Sequence, residues 1–315
     1  MRRKIFLAGL IGFILMFVIL PDMAGEGAES GLMLWFKVIL PSLLPFMIVS
    51  SMLIKLKVTD YISAILYPVF HRVFGISKGG CYPALLGMLS GYPLGAKMVW
   101  QAYMNGDIGF DEAQYILGFC NNASPMFMLE YIGVKCLGLD MPWIMPLIIY
   151  LSAYINALIS RFVSKNKIFT RSDKNIKAAN RKNYSVMEAL DESILDSFVT
   201  ITKVGGYIIL FSILTEFMTK IGGLTQTGQL IGVGIMEITT GGEFIAVLDM
   251  PLYVKAVLLS LFCAFGGMSS VAQTSSVLLG SGFSTRKYIA VKLRQSVIAA
   301  VLALVVFQGV WPLGF

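Results

Sequence analysis

Long apolar stretches alternate along the chain with short polar breaks, and this pattern predicts membrane-crossing helices. A helix needs about 20 mostly apolar residues to cross a bilayer. In the first half the apolar stretches are 5–20, 32–54, 79–96, 113–129 and 141–160, with a shorter one at 61–74 that we place at the interface or halfway across. In the second half they are 193–217, 221–236, 256–285 and 296–310. We therefore predict an all-α polytopic membrane protein.

The composition supports this prediction and excludes several classes. Of 315 residues, 57% are hydrophobic and 14% are charged, and the mean hydropathy is +0.76. Soluble globular chains carry about 25% charged residues, so an ordinary soluble enzyme and a disordered chain are both excluded. The net charge is +7. Basic residues collect in the cytoplasmic loops of membrane proteins, which accounts for this excess, so we expect no nucleic-acid partner.

One charge run divides the chain into two halves. Eight basic residues lie between 161 and 182, opposed only by Asp173, and they are Arg161, Lys165, Lys167, Arg171, Lys174, Lys177, Arg181 and Lys182. The positive-inside rule makes this segment a cytoplasmic linker. The expected organisation is an N-terminal anchor span and external loop (1–31), a first repeat (32–163), the basic linker (164–187) and a second repeat (188–315).

The N-terminus has a basic start followed by a short apolar stretch, which fits either a signal peptide or an anchor. No clear cleavage site follows residue 20, so we favour an uncleaved anchor with a cytoplasmic N-terminus. The first repeat then starts outside and the second starts inside. Two similar halves would sit in opposite orientations, as in transporters built from inverted repeats.

Both halves contain two breaks in the same order. The first half reads LLGMLSGYPLGAK and then GFCNNASPMFM, and the second reads VGIMEITTGGEF and then LFCAFGGMSSVAQ. Backbone groups freed at a break find no partner in lipid, so such breaks survive where protein buries them or where they line a polar cavity. Glycine and small residues also serve helix packing, but four breaks beside Ser, Thr or Asn favour interrupted or re-entrant helices around a cavity.

The breaks supply the candidate substrate-binding residues. In the first half these are Ser90, Gly91, Tyr92, Lys97, Asn121, Asn122 and Ser124. In the second half they are Thr239, Thr240, Gly241, Gly267, Ser269, Ser270 and Gln273. Half-helix N-termini bind anions, and Asn amides both donate and accept. We expect Ser269, Ser270 and Gln273 to face the Asn pair.

Two charged residues at the breaks each allow two interpretations. Lys97 is either a functional intramembrane cation or a lysine that snorkels to the interface. Glu237 either binds a coupling proton or Na⁺, or forms a structural ion pair with a lysine. The sequence contains no P-loop, HExxH or GxSxG motif. We therefore expect no catalytic residues, no metal and no cofactor, and any pumping would be driven by a gradient.

Three motifs carry a family resemblance. They are LPSLLPF at 40–46, SGYPLGAK at 90–97 and FCNNASP at 119–125. Together they resemble the YlbJ (SpoVV) type of sporulation integral membrane protein, within the wider nucleoside recognition or Gate domain group. The resemblance covers the chain from about Leu32 to its C-terminus.

The resemblance implies a fold related to concentrative nucleoside transporters. It also implies that dipicolinate, an aromatic dianion, is carried from the mother cell across the outer forespore membrane. Expected partners are thus a small-molecule substrate and the bilayer, with a homodimer as the working assumption. A nucleoside or other neutral substrate, a non-transporting membrane scaffold and, more remotely, a membrane-embedded enzyme remain open.

Overall fold

The computed structural model describes residues 2–163, 169, 184–220 and 225–310, and these ranges are helical apart from their connections. The predicted linker, 164–187, lies almost wholly outside the described residues. The first-half helices are α1 (Arg2–Ile19), α2 (Pro21–Leu34), α3 (Leu40–Lys55), α4 (Thr59–Phe74), α5 (Lys78–Ser90), α6 (Leu94–Met104), α7 (Phe110–Cys120) and α8 (Ile144–Val163). The second-half helices are α9 (Val186–Lys220), α10 (Gln226–Met236), α11 (Ile238–Val247), α12 (Leu252–Phe265), α13 (Gly267–Val277) and α14 (Thr285–Val305). Wider π-helical turns form Trp35–Ile39, Phe127–Cys136 and Val306–Val310.

Five helical runs in the described part of the chain are long and apolar enough to cross a membrane. They are Pro21–Lys55, Ile144–Val163, Val186–Lys220, Leu252–Val277 and Thr285–Gly309. The first and third are both 35 residues long, which exceeds the roughly 20 residues that a crossing needs. The all-α membrane fold expected from the apolar pattern is confirmed.

The segment 21–31 is helical, which corrects the external loop predicted there. Pro21 occupies the first turn of α2, a position where its missing N–H costs nothing. Gly27 and Gly31 face α9 so closely that an added Cβ would lie 2.8 Å from the Cα atoms of Ile213 and Ile209. The two glycines thus allow two helix backbones to approach each other.

The two 35-residue runs pack side by side and form one wall of the molecule. The Trp35 indole donates to the Ile201 carbonyl at 2.9 Å, and its ring lies against Gly205. Near the other end, the Lys55 ammonium is 3.5 Å from the Glu192 carboxylate and 3.0 Å from that of Asp196. The apolar stretch at 61–74 forms α4, whose exposed outer side includes Tyr61 and Ile65.

The remaining elements follow the same order in both halves. A pair of half-length helices comes first (α5 and α6, then α10 and α11), followed by an interrupted helix (α7 with Phe127–Cys136, then α12 with α13) and a final span (α8, then α14). The predicted span at 221–236 is thus half a hairpin, since α10 has only 11 residues.

The last span begins at Thr285 instead of Ser296, which corrects its predicted start. The predicted span started after Lys292 and Arg294 because both are charged. In the structure, however, Lys292 is fully buried among polar partners. A charge inside the protein does not end a membrane helix when other protein groups solvate it.

Candidate substrate site at the helix breaks

Three of the four breaks line a small central cavity of about 40 Å³, and α13, which follows the fourth break, adds Gln273 to its wall. Its polar lining comes from both halves and consists of Gly91, Tyr92, Ser124, Glu237, Thr239 and Gln273. The long helices contribute apolar side chains, among them Leu43 and Ile208. This volume has room for a few water molecules, so a larger ligand requires the walls to separate.

The break between α5 and α6 lies directly on the break of the first interrupted helix. Gly91 has φ +81°, and a Cβ there would lie 3.0 Å from the Ser124 amide nitrogen. The Tyr92 amide donates to the Asn122 carbonyl at 2.8 Å. Ser90 instead turns its hydroxyl back to the Leu86 carbonyl of its own helix. The buried Tyr92 hydroxyl has no hydrogen-bond partner among the described residues.

The first interrupted helix stops at Cys120, and helix resumes at Pro125, since proline suits the first turn of a helix. Asn121 and Asn122 are both fully buried. The Asn121 amide donates to the Thr274 hydroxyl at 2.9 Å and to the Tyr288 hydroxyl at 2.8 Å. Its side-chain oxygen accepts from the Ala96 amide at 3.3 Å. This side chain therefore ties the break to α6, α13 and α14.

Asn122 binds a buried cation that the sequence analysis missed. The Lys292 ammonium donates to Asn122 Oδ1 at 2.8 Å, to the Asn121 carbonyl at 3.1 Å and to Gln295 Oε1 at 2.8 Å. The Gln295 amide also donates to Asn122 Oδ1 at 2.8 Å. A signal was present, because positions 288, 292 and 295 share one helical face.

The break between α10 and α11 is a single residue, Glu237. Its carboxylate caps α11 and accepts from the backbone amides of Thr239 and Thr240, both at 2.8 Å, and from their hydroxyls. The ion pair with a lysine that we considered does not occur among the described residues. Residues 239–242 are helical, and Gly241 packs closely on Gly234. The expected Gly-rich break there is therefore shorter than predicted.

The second interrupted helix breaks at Gly266 and Gly267, which have φ +85° and +75°. Ser270 donates to the Gly267 carbonyl at 3.0 Å, and Gln273 donates to the Ser269 hydroxyl at 3.1 Å. Neither serine hydrogen-bonds to the Asn pair within the described part of the chain. The Asn121 amide instead donates to Thr274, one residue beyond Gln273 on α13, and to Tyr288 of α14. Gln273 Oε1 is buried without a partner in the described ranges.

A second, larger cavity of about 510 Å³ adjoins the central one, and we call it the vestibule. It lies between α6, α9 and α13 and shares Val204 and Gln273 with the central cavity. Lys97 of α6 lines it, together with Asp196 and Lys203 of α9. The Lys97 ammonium donates to the Thr200 hydroxyl at 2.9 Å, so Lys97 faces this cavity. Its volume falls in the range of small-molecule sites.

The predicted site residues thus separate into three groups. Gly91, Tyr92, Ser124, Glu237, Thr239 and Gln273 line the central cavity. Lys97 lines the vestibule together with Gln273. The others lie outside both cavity linings and are Ser90, Asn121, Asn122, Thr240, Gly241, Gly267, Ser269 and Ser270.

Paired half-helices and interrupted helices around a polar cavity are also the arrangement found in secondary transporters built from inverted repeats. Two solved structures share this fold. They are the concentrative nucleoside transporter CNTnw in an intermediate state of a variant (TM-score 0.56, 16% identity, 96% of this chain and 92% of that one) and in an inward-facing substrate-bound state (TM-score 0.52, 16% identity, 93% and 90%).

The chain is also similar to a curated protein over most of its length. It is 25% identical over 326 aligned residues to the sporulation integral membrane protein YlbJ of Bacillus subtilis (strain 168), covering 92% of this chain and 79% of that protein. This similarity confirms the resemblance to the YlbJ type that the three motifs predicted. A scan against protein-family models found no match.

Proposed function

We propose that the protein is a secondary transporter that carries a small organic anion, dipicolinate, across a membrane during spore formation. The observation that carries this proposal is the vestibule, which shares Val204 and Gln273 with the central cavity and has Lys97 and Lys203 on its walls. Lysines in a partly enclosed cleft raise the local concentration of anions. The similarity to a sporulation membrane protein and the transporter fold give this chemistry its context.

The direction of loading follows from the expected orientation. The vestibule is lined by α9 between Asp196 and Tyr207, and α9 begins at Val186, just after the basic linker. With that linker in the cytoplasm, the vestibule opens toward the cytoplasm. Dipicolinate from the mother cell would enter there, pass Lys97 and reach Tyr92 and Gln273 once the walls of the central cavity separate.

The orientation is tested by labelling. A single cysteine placed in the linker of a variant without its four buried cysteines is expected to resist an impermeant thiol reagent in intact cells. It is expected to react after the cells are opened. Reaction in intact cells would place the linker outside and reverse the proposed direction of loading.

One observation favours a second candidate, a nucleoside or similar neutral substrate. Glu237 lies on the wall of the central cavity, where a carboxylate repels an anion and accepts from a substrate hydroxyl. Its oxygens already accept four hydrogen bonds from Thr239 and Thr240, which offsets much of its negative charge. We therefore rank the anion first.

Counterflow in proteoliposomes separates the candidates. Labelled dipicolinate and labelled uridine are offered in parallel to vesicles preloaded with the unlabelled compound. Accelerated uptake of dipicolinate supports the anion transporter, and accelerated uptake of uridine alone assigns the second candidate. If a folded, inserted preparation moves neither compound, both proposals fail and the scaffold reading gains support.

The lysine pair provides a matched test of the anion. Replacing both Lys97 and Lys203 with Gln is expected to lower dipicolinate uptake about tenfold at low salt, because the vestibule loses its attraction for anions. High salt should narrow this difference, since ions screen exposed charges. Lys287→Gln, at an exposed position outside both cavities, serves as the control. Uptake that the double variant leaves unchanged contradicts the role given to the vestibule.

A further inference from the structure

Lys292 is the most deeply buried cation among the described residues, with no exposed surface. Its Nζ atom has three hydrogen-bond acceptors, namely the Asn121 carbonyl, Asn122 Oδ1 and Gln295 Oε1. An ammonium group has three N–H donors, and all three are used here. The Nζ atom is thus held at a fixed point by three oxygen atoms and does not reach toward the membrane surface.

The three acceptors are the kind of oxygen that binds a hard metal cation. Backbone carbonyls at unwound helix segments and at the C-terminal ends of half-helices coordinate Na⁺ in transporters with interrupted helices. The Asn121 carbonyl is in this position, because α7 ends at Cys120. The end of α7 also carries the partial negative charge of its helix dipole. A cation is therefore favoured at this point of the first break.

All three accepting atoms belong to neutral groups, a carbonyl and two side-chain amides. A buried charge without an opposite charge is costly, and an ordinary structural lysine would pair with a carboxylate. Here the amide oxygens and the helix end supply the solvation. A sodium ion among the same oxygens would leave the net charge of the cluster unchanged.

We propose that the ammonium group of Lys292 is a tethered cation that fills, at the end of α7, the place where the interrupted helix would otherwise bind a coupling sodium ion. Transport by this protein then runs without sodium. This inference deepens the proposed transport function, and its consequence, transport without sodium, rests on that proposal. The cation site itself can be tested without any substrate.

The first experiment measures thermal unfolding of the purified protein in detergent, in NaCl and in choline chloride at equal ionic strength. We expect the unfolding temperature of the wild type to be the same in both salts. Lys292→Ala is expected to unfold at a lower temperature in choline chloride and to regain about 3 °C at saturating NaCl, as a bound ion stabilises the folded state. Lys287→Ala, an exposed lysine of the same helix, should show no salt-specific change.

Two results would contradict the proposed cation site. One is a Lys292→Ala variant whose unfolding temperature is the same in NaCl, LiCl and choline chloride. The other is a wild type that NaCl stabilises as much as the variant. If Lys292→Ala does not fold, Lys292→Ser, which also leaves room for an ion, takes its place. Stabilisation of the wild type by NaCl but not by choline chloride would by itself contradict the inference.

The second experiment measures dipicolinate uptake into proteoliposomes. Wild-type uptake is expected to agree within about twofold when choline replaces Na⁺ on both sides, whereas Lys292→Ala should be inactive in choline and partly active in Na⁺. A tenfold loss of wild-type uptake without Na⁺ overturns the inference. If the wild type moves no dipicolinate in any medium, the substrate proposal fails, but the unfolding data still test the cation site.

Discussion

The two interrupted helices differ in how the polar groups at their breaks are hydrogen-bonded. At the first break, Asn121 and Asn122 reach across to α6, α13 and α14, and every polar atom of the two side chains has a partner. At the second, Gly266 and Gly267 offer no side chain, and Ser270 bonds within its own turn. The first break is therefore fixed by tertiary contacts, whereas the helix after the second has an acceptor at the cavity, Gln273 Oε1, that has no partner among the described residues.

This contrast assigns different roles to similar sequences. The two breaks that follow Phe-Cys pairs look alike in sequence. Yet the Asn pair of the first is an anchor between the two halves, whereas the helix after the second has a buried acceptor, Gln273 Oε1, with no partner among the described residues. Fully satisfied buried networks are rigid. We infer that ligand contacts are made by the open groups, Tyr92 and Gln273, and that the Asn pair acts from behind them.

The largest expected effect is on the anchor. Asn122→Leu removes the acceptor shared by Lys292 and Gln295 and leaves the ammonium partly unsolvated. Breaking such a buried charged contact costs about 3 kcal/mol of unfolding free energy. Thermal unfolding in detergent measures this loss, and Ser269→Ala, whose hydroxyl bonds only within α13, should cost below about 1 kcal/mol. Equal losses for the two variants would remove the distinction between the breaks.

The next effect concerns the backbone of the second break. Gly266→Ala puts a Cβ at φ +85°, 3.1 Å from Tyr92 Cε1 and closer still to the Ser270 hydroxyl. The left-handed conformation alone costs about 1 kcal/mol, and the crowding adds to it. Gly138→Ala, at φ +62° with no atom within 4 Å of the new Cβ, isolates the conformational part. Adding Ser270→Ala to Gly266→Ala should recover part of the stability, and no recovery would contradict the crowding.

These contrasts show where sequence reasoning succeeded and where it stopped. Gly91, the FCNNASP motif, Glu237 and Gly267 located the four breaks but not their lengths, because a polar break in an apolar helix is a local signal. Lys292 and Gln295 were missed because their meaning is tertiary, and only the packing of α14 against the first break makes a buried charge tolerable. The helical 21–31 segment was missed for the same reason, since Gly27 and Gly31 are explained only by α9.

A smaller effect on stability, but a clear one on transport, is expected at the open acceptor. Gln273→Leu keeps the volume of the side chain and removes an oxygen that has no partner within the described part of the chain. The folded state should lose little, because one hydrogen bond, to Ser269, is given up. Dipicolinate uptake should fall about tenfold if this group contacts substrate, as a lost polar contact costs about 1.4 kcal/mol or more.

The matched control for that variant is Gln308→Leu, an exposed glutamine near the end of the last span. Its uptake and its unfolding temperature should both equal those of the wild type. If Gln273→Leu also transports at the wild-type rate, the free oxygen is not a ligand contact and the second break loses its assigned role.

The smallest expected effect is that of replacing Tyr92, which tests whether its side chain belongs to the anchor or contacts substrate. Tyr92 belongs to the α5–α6 break, and its amide is held by the Asn122 carbonyl of the anchor, while its hydroxyl has no partner among the described groups. Tyr92→Phe should therefore leave the unfolding temperature unchanged or slightly higher, since a buried unsatisfied hydroxyl is costly. Uptake should fall about threefold, less than one typical hydrogen bond, with the exposed Tyr61→Phe as control. A fall in stability without a fall in uptake would mean that the hydroxyl serves the fold, and the anchor would then extend to the residue we place in contact with substrate.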